Sequence, residues 1–148
     1  RSDPSMLVVD DALLLSVLAG GAGAEIESAI GRGELHTTGS WYYRLGRALH
    51  DPRSSGSLSS AMAALPAERR ARVLAGLDVL PPQIGLISLR HLVPVMARLP
   101  LDRRVNFLTA EAVAAARMLG ARIQVTVESP VLREACQALG IDLEVMVR

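Results

Sequence analysis

The sequence predicts an α/β fold, a three-layer α/β/α sandwich built on a central, mainly parallel sheet. Three observations predict it. Residues 7–9 form a short, continuous apolar run, as a strand buried on both faces does. Residues 123–127 and 143–147 supply two more strands, and helical segments that stop at glycine lie between the runs. Strands separated by helices are joined by right-handed crossovers, which set neighbouring strands parallel and cover both faces of the sheet.

After the first strand, residues 12–18 continue as an apolar helix that ends at Gly20-Gly21. A second helix over 25–30 is closed by Gly31 and Gly33, and 34–37 makes a short strand. Ser40 is placed to cap a helix over 41–49, and 52–57 is a loop. Residues 58–65 and 67–77 form a helical hairpin divided by Pro66, which suits a first helical turn, and Pro81-Pro82 ends that layer. A strand over 84–87 and a helix over 92–99, with Pro94 near its start, follow. Thr109 is placed to cap a nearly all-apolar helix that reaches Leu119 and stops at Gly120. Ser129-Pro130 starts the last helix, which runs to Leu139 and stops at Gly140. In the strand over 123–127, Arg122, Gln124 and Thr126 alternate with Ile123, Val125 and Val127, which predicts one covered and one open face.

A chain of 148 residues, half of them hydrophobic, describes one domain with a sizeable core, taken as 6–148. Residues 1–5 look like the leftover of an expression tag ahead of Met6. The longest apolar stretch, 12–24, falls short of the ~20 residues a bilayer requires, and no secretory leader precedes the first strand. A cytoplasmic protein without a membrane span is expected. Cys136 is the only cysteine, which excludes an internal disulfide and a cysteine-based zinc cluster and suggests a buried helix position. The three histidines lack metal-ligand spacing, and neither a dinucleotide fingerprint nor a phosphate loop is present. All sixteen basic residues are arginine. Ten of them lie between Leu35 and Phe107 against four acids, whereas Met6 to Glu34 holds five acids and one arginine. A basic middle beside an acidic floor suits a polyanion drawn to a cation-loaded site, and equally suits arginines that only solvate helix faces.

Asp10 and Asp11 follow the first apolar run directly, and Glu128 follows the strand over 123–127. If those strands are parallel neighbours, their carboxylates meet at one sheet edge, where open α/β folds place their sites. Hard cations require oxygen ligands, so such a cluster reads as a metal site. The plainer reading makes Asp10 and Asp11 helix caps, Glu111 a first-turn acid and Glu128 a solvent-facing residue. Trp41-Tyr42-Tyr43 with Arg44 and Arg47 holds three of the four aromatic residues. Aromatics with arginines stack bases and hold phosphates, although Trp41 and Leu45 share a helix face and would face the core. Arg69, Arg70 and Arg72 are expected to form a solvated helix face.

Leu7-Val-Val-Asp10, the stretch 108–121, Val125-Thr-Val-Glu128 and the stretch 132–141 together resemble a PIN domain. The resemblance covers both ends of the chain. It implies a compact α/β/α domain, and in many members a metal-dependent ribonuclease, including the toxins of toxin and antitoxin pairs. By resemblance, Asp10 matches the acid that ends the first strand, and Glu128 stands where the family has Asp. Glu111 lies two residues beyond the helix position that family members fill with Asp and that Thr109 fills here. A further acid, carried by the family early in its second structural quarter, has no counterpart in 40–49. The implied function is RNA cleavage with Mg²⁺ or Mn²⁺ held by Asp10, Asp11, Glu111 and Glu128, with Asp10, Glu111 and Glu128 catalytic and Arg44 and Arg47 gathering RNA. The alternative is a PIN-like domain without a working nuclease centre, acting as a nucleic-acid-binding or protein-interaction module. A third reading is a partner-dependent protein, either a toxin held by an antitoxin-like peptide or a homodimer joined through its apolar helices.

Overall fold

The structure is a computed structural model that describes residues 5–51, 53 and 55–146. Four of the five residues read as a tag remnant, two loop positions and the end of the last expected strand therefore lie outside the described residues. The elements run β1 (Leu7–Val9), α1 (Asp11–Ala19), α2 (Ala24–Gly31), β2 (Leu35–Thr37), α3 (Gly39–His50), α4 (Ser57–Ala63) and α5 (Ala67–Asp78). They continue with β3 (Ile84–Leu86), α6 (Leu89–Arg98), α7 (Phe107–Leu119), β4 (Arg122–Val125), α8 (Pro130–Leu139) and β5 (Leu143–Val145). The strands form one all-parallel sheet in the order β3-β2-β1-β4-β5, and helices cover both faces, giving the three-layer α/β/α sandwich.

Strand alternation divides the core in two. Leu7 and Val9 face one cluster with Leu13, Leu14, Leu35, Val73 and Ile84, whereas Val8 faces another with Ile123, Leu132, Cys136 and the alanines of α7. β1 is therefore buried on both faces, as its apolar run predicts. Cys136 lies in the second cluster, and burial pushes its thiol up to about 11, which leaves it unreactive at neutral pH.

The expectation of an open face on β4 is overturned. Gln124 is fully buried; its Nε2 donates to Glu25 of α2 and to Glu144 of β5, both at 2.8 Å. Arg122 pairs with the same two acids, at 2.6 Å to Glu25 and 3.8 Å to Glu144. The polar alternation marks a buried polar layer beneath α2 whose donors Gln124 Nε2 and Arg122 Nη2 are met by carboxylates from two other elements, while Gln124 Oε1 and Arg122 Nε have no hydrogen-bond partner.

Three helices start two or three residues earlier than local sequence suggests. Thr38, not Ser40, caps α3 by accepting from Trp41 N at 3.1 Å, and Asn106, not Thr109, caps α7 by accepting from Thr109 N at 2.9 Å. Ser88 starts α6 at Leu89, three residues ahead of the expected start. Serine, threonine and asparagine can all cap a helix, and candidates stand two or three positions apart here, so where the chain leaves the sheet decides which residue serves.

α5 packs along α1. Arg69 and Arg72 are exposed, and their guanidinium groups also lie over Gly21 and Gly20 at the C-terminal end of α1, where unpaired carbonyls attract positive charge. Arg70 donates to Leu65 O. Arg69 and Arg72 therefore close the α1–α5 contact as well as solvating α5, and Arg70 braces the turn that precedes α5. No single helix among the described residues is long and apolar enough to cross a membrane.

Gly20 holds φ at +82°, and a Cβ there would lie 2.8 Å from Arg72 Nη1. Gly20→Ala is expected to lower stability by about 1–3 kcal/mol, from left-handed strain and from displacing the arginine. Gly31→Ala, with nothing within 4 Å of its Cβ, is the control and should be neutral or slightly stabilising; urea unfolding of both variants checks this.

Candidate functional site

Parallel pairing sets the C-terminal ends of β1 and β4 side by side, with Val9 opposite Gln124. The chain leaves β1 through Asp10, whose N–H donates to Gln124 O at 3.1 Å. Asp10 Oδ1 accepts from Leu13 N at 3.0 Å and so caps α1. Its Oδ2 accepts from Thr126 N at 2.8 Å and from Thr126 Oγ1 at 3.0 Å. One buried carboxylate thus ties the start of α1 to the end of β4. Sequence reasoning assigned Thr126 only an outward strand position, and no spacing signal marks it as a clamp on a residue 116 positions away.

Asp11 adds a second carboxylate at the same edge. Its Oδ1 accepts from Ala12 N at 2.8 Å, and its Oδ2 lies 3.6 Å from Arg44 Nε of α3. Burial, and then the charge of Asp10, raise its proton affinity above the ordinary carboxylate value, and Arg44 only partly offsets them. Both acids line a cavity of about 270 Å³ together with Trp41, Arg44, Asn106 and Thr109. Apolar walls come from Leu108, Val125 and Leu132, and Ser129 stands at the start of α8.

The structure does not bring Glu111 or Glu128 into this cavity. Glu111 is 1% exposed, and its carboxylate accepts from Ser40 N at 2.9 Å and from Gly39 N at 3.2 Å. It caps α3 from α7, satisfying two amides that open the helix. Glu128 is held outside by Arg133, which donates to both of its oxygens at 2.8 and 3.0 Å and holds its carboxyl below the usual range. Among the described residues no group of three or more Asp, Glu, His or Cys side chains gathers as a metal cluster would.

α3 divides the aromatic cluster. Trp41 and Leu45 are buried, as their shared face predicts, whereas Tyr43 is 68% exposed. Tyr43, Arg47 and His50 follow one another at helical spacing along a groove of about 490 Å³ that Tyr42, Gly46 and Leu77 also line. Arg44 stands between this groove and the acidic cavity, lining the latter. Arg47 has only a loose ion pair, 3.8 Å to Asp51.

Two expectations follow from these contacts. Because the folded state holds the Asp11 proton to a higher pH than the unfolded chain does, the cost of its ionised form is absent below its ordinary value of 3.8 and grows as pH rises through the raised one. Asp11→Asn should therefore raise the melting temperature at about pH 7, with the gain shrinking towards about pH 4; thermal melts at the two pH values check it. Glu111→Ala should lower stability by about 2–4 kcal/mol, since it leaves two amides of α3 unpaired and a void beside α7, and chemical unfolding measures that loss. No family model matches the chain, and no curated protein matches it.

Proposed function

We propose that this chain is a PIN-like domain that binds single-stranded RNA along α3, with the acidic centre of that family reduced to Asp10 and Asp11. The observation that carries the reading is the exposed row Tyr43, Arg47 and His50 with Arg44 beside it, over an open groove. Tyrosine offers a stacking face to any base, and arginines held only by long ion pairs keep donors for phosphate. Such a strand would run from the groove past Arg44 towards the sheet edge. A cytoplasmic location goes with this reading.

Binding is favoured over cleavage by what the acids do. Two-cation phosphodiester chemistry requires several carboxylates converging on both cations. Here Glu111 serves α3 and Glu128 serves Arg133, so the donors do not fit a cation pair. They fit one Mg²⁺ or Mn²⁺ at Asp10 and Asp11, with Thr109 and waters supplying the remaining oxygens. A cation so held would polarise a bound water. The raised proton affinity of Asp11 beside Asp10 supports this second reading, a residual metal-dependent ribonuclease, because a cation would relieve the same repulsion.

Fluorescence anisotropy with a labelled single strand of about 12 nucleotides, inside the ~4–16 that such surfaces span, tests the proposal. Tyr43→Ala and Arg47→Ala should each weaken binding about tenfold, and the affinity should fall between about 50 and 200 mM salt. Absence of binding at low salt would sink the RNA reading. Mn²⁺-dependent cleavage abolished by Asp10→Asn and Asp11→Asn would instead establish the nuclease.

A further inference from the structure

We infer that the cavity at the sheet edge takes the terminal ribose of the bound strand, holding its 2′,3′-diol at the 3′ end. The inference rests on the RNA-binding reading of α3 and assigns the neighbouring cavity a separate task. At about 270 Å³ the cavity lies just below the ~300–1,000 Å³ range of small-molecule sites, which suits one sugar with part of its base.

Its walls carry unspent hydrogen-bonding capacity. Thr109 is only 5% exposed, and its hydroxyl has no partner among the described residues; the same holds for the indole N–H of Trp41, which is 3% exposed. Asp11, whose Oδ2 has only the 3.6 Å ion pair to Arg44, provides an acceptor in the same lining. A vicinal diol has two O–H donors and two acceptor oxygens, and so can serve both kinds of group at once.

Charge selects against other occupants. Two carboxylates at the floor repel a phosphate. A neutral hydroxylated group meets no such repulsion. The last internucleotide phosphate then falls to Arg44 at the rim, and exposed Val127 offers the terminal base an apolar surface.

The test compares three labelled RNAs of one sequence that end in a 2′,3′-diol, a 2′,3′-dideoxyribose or a 3′-phosphate, measured by anisotropy without divalent metal and again with Mn²⁺. The diol end should bind about tenfold more tightly than either of the others, and Thr109→Val should erase the difference between the diol and dideoxy ends. Equal affinities for all three ends would overturn end capture and leave RNA binding along α3 standing. A preference for the 3′-phosphate in Mn²⁺ would overturn it in favour of a cation at Asp10 and Asp11. Should no RNA bind, the α3 reading fails, and calorimetry with adenosine and 2′,3′-dideoxyadenosine decides the cavity separately. Saturable binding of adenosine alone, lost in Thr109→Val, supports the inference, and its absence overturns it.

Discussion

The arrangement of this molecule's sheet edge depends on the Asp10 carboxylate. It accepts from Leu13 N to begin α1 and from both donors of Thr126 to hold the end of β4. Three hydrogen bonds to one buried charge are each stronger than bonds between neutral groups. They fix the turn out of the central strand, and that turn sets where Asp11 stands and how α1 leaves the sheet. The cavity lined from α1, α3, α7, α8 and the end of β4 lies at this junction.

Helix starts then dominate the chemistry of that edge. Four of them, those of α1, α3, α7 and α8, are capped by Asp10, Thr38, Asn106 and Ser129. Glu111 adds a second acceptor to α3 from across the domain. Asp10 and Glu111 accept from backbone amides, and Glu128 from Arg133. A carboxylate whose oxygens already serve an α-helix is a poorer metal ligand, and the same bonds make it a better structural element. That exchange explains how a sheet edge carrying acidic residues can lack a converged acidic cluster among the described residues.

The layered α/β/α arrangement was legible in the sequence because it rests on local signals: the apolar run 7–9, the glycine stops at Gly120 and Gly140, and the Ser129-Pro130 start. The adjacency of Asp10 and Asp11 to a strand end was legible for the same reason. Cap choice was not, since Ser40 and Thr109 are as competent locally as Thr38 and Asn106. The task of Glu111 was hidden because its partners lie 71 and 72 residues away. The polar alternation of β4 was misleading, since a polar residue on a strand signals open surface only when no other element brings it a partner.

That polar layer has a consequence for how the sheet finds its alignment. Strands of three or four residues offer few ladder bonds, so hydrogen bonding alone discriminates weakly between neighbouring alignments. A slip of β4 by one position would turn Gln124 and Arg122 into the alanine-rich cluster and Ile123 towards Glu25. Each misplaced group would lose its partner in a dry environment. Gln124, Arg122, Glu25 and Glu144 therefore act as a key that rejects the wrong alignment, so the specificity of the central sheet resides in side chains that contribute nothing to its hydrophobicity.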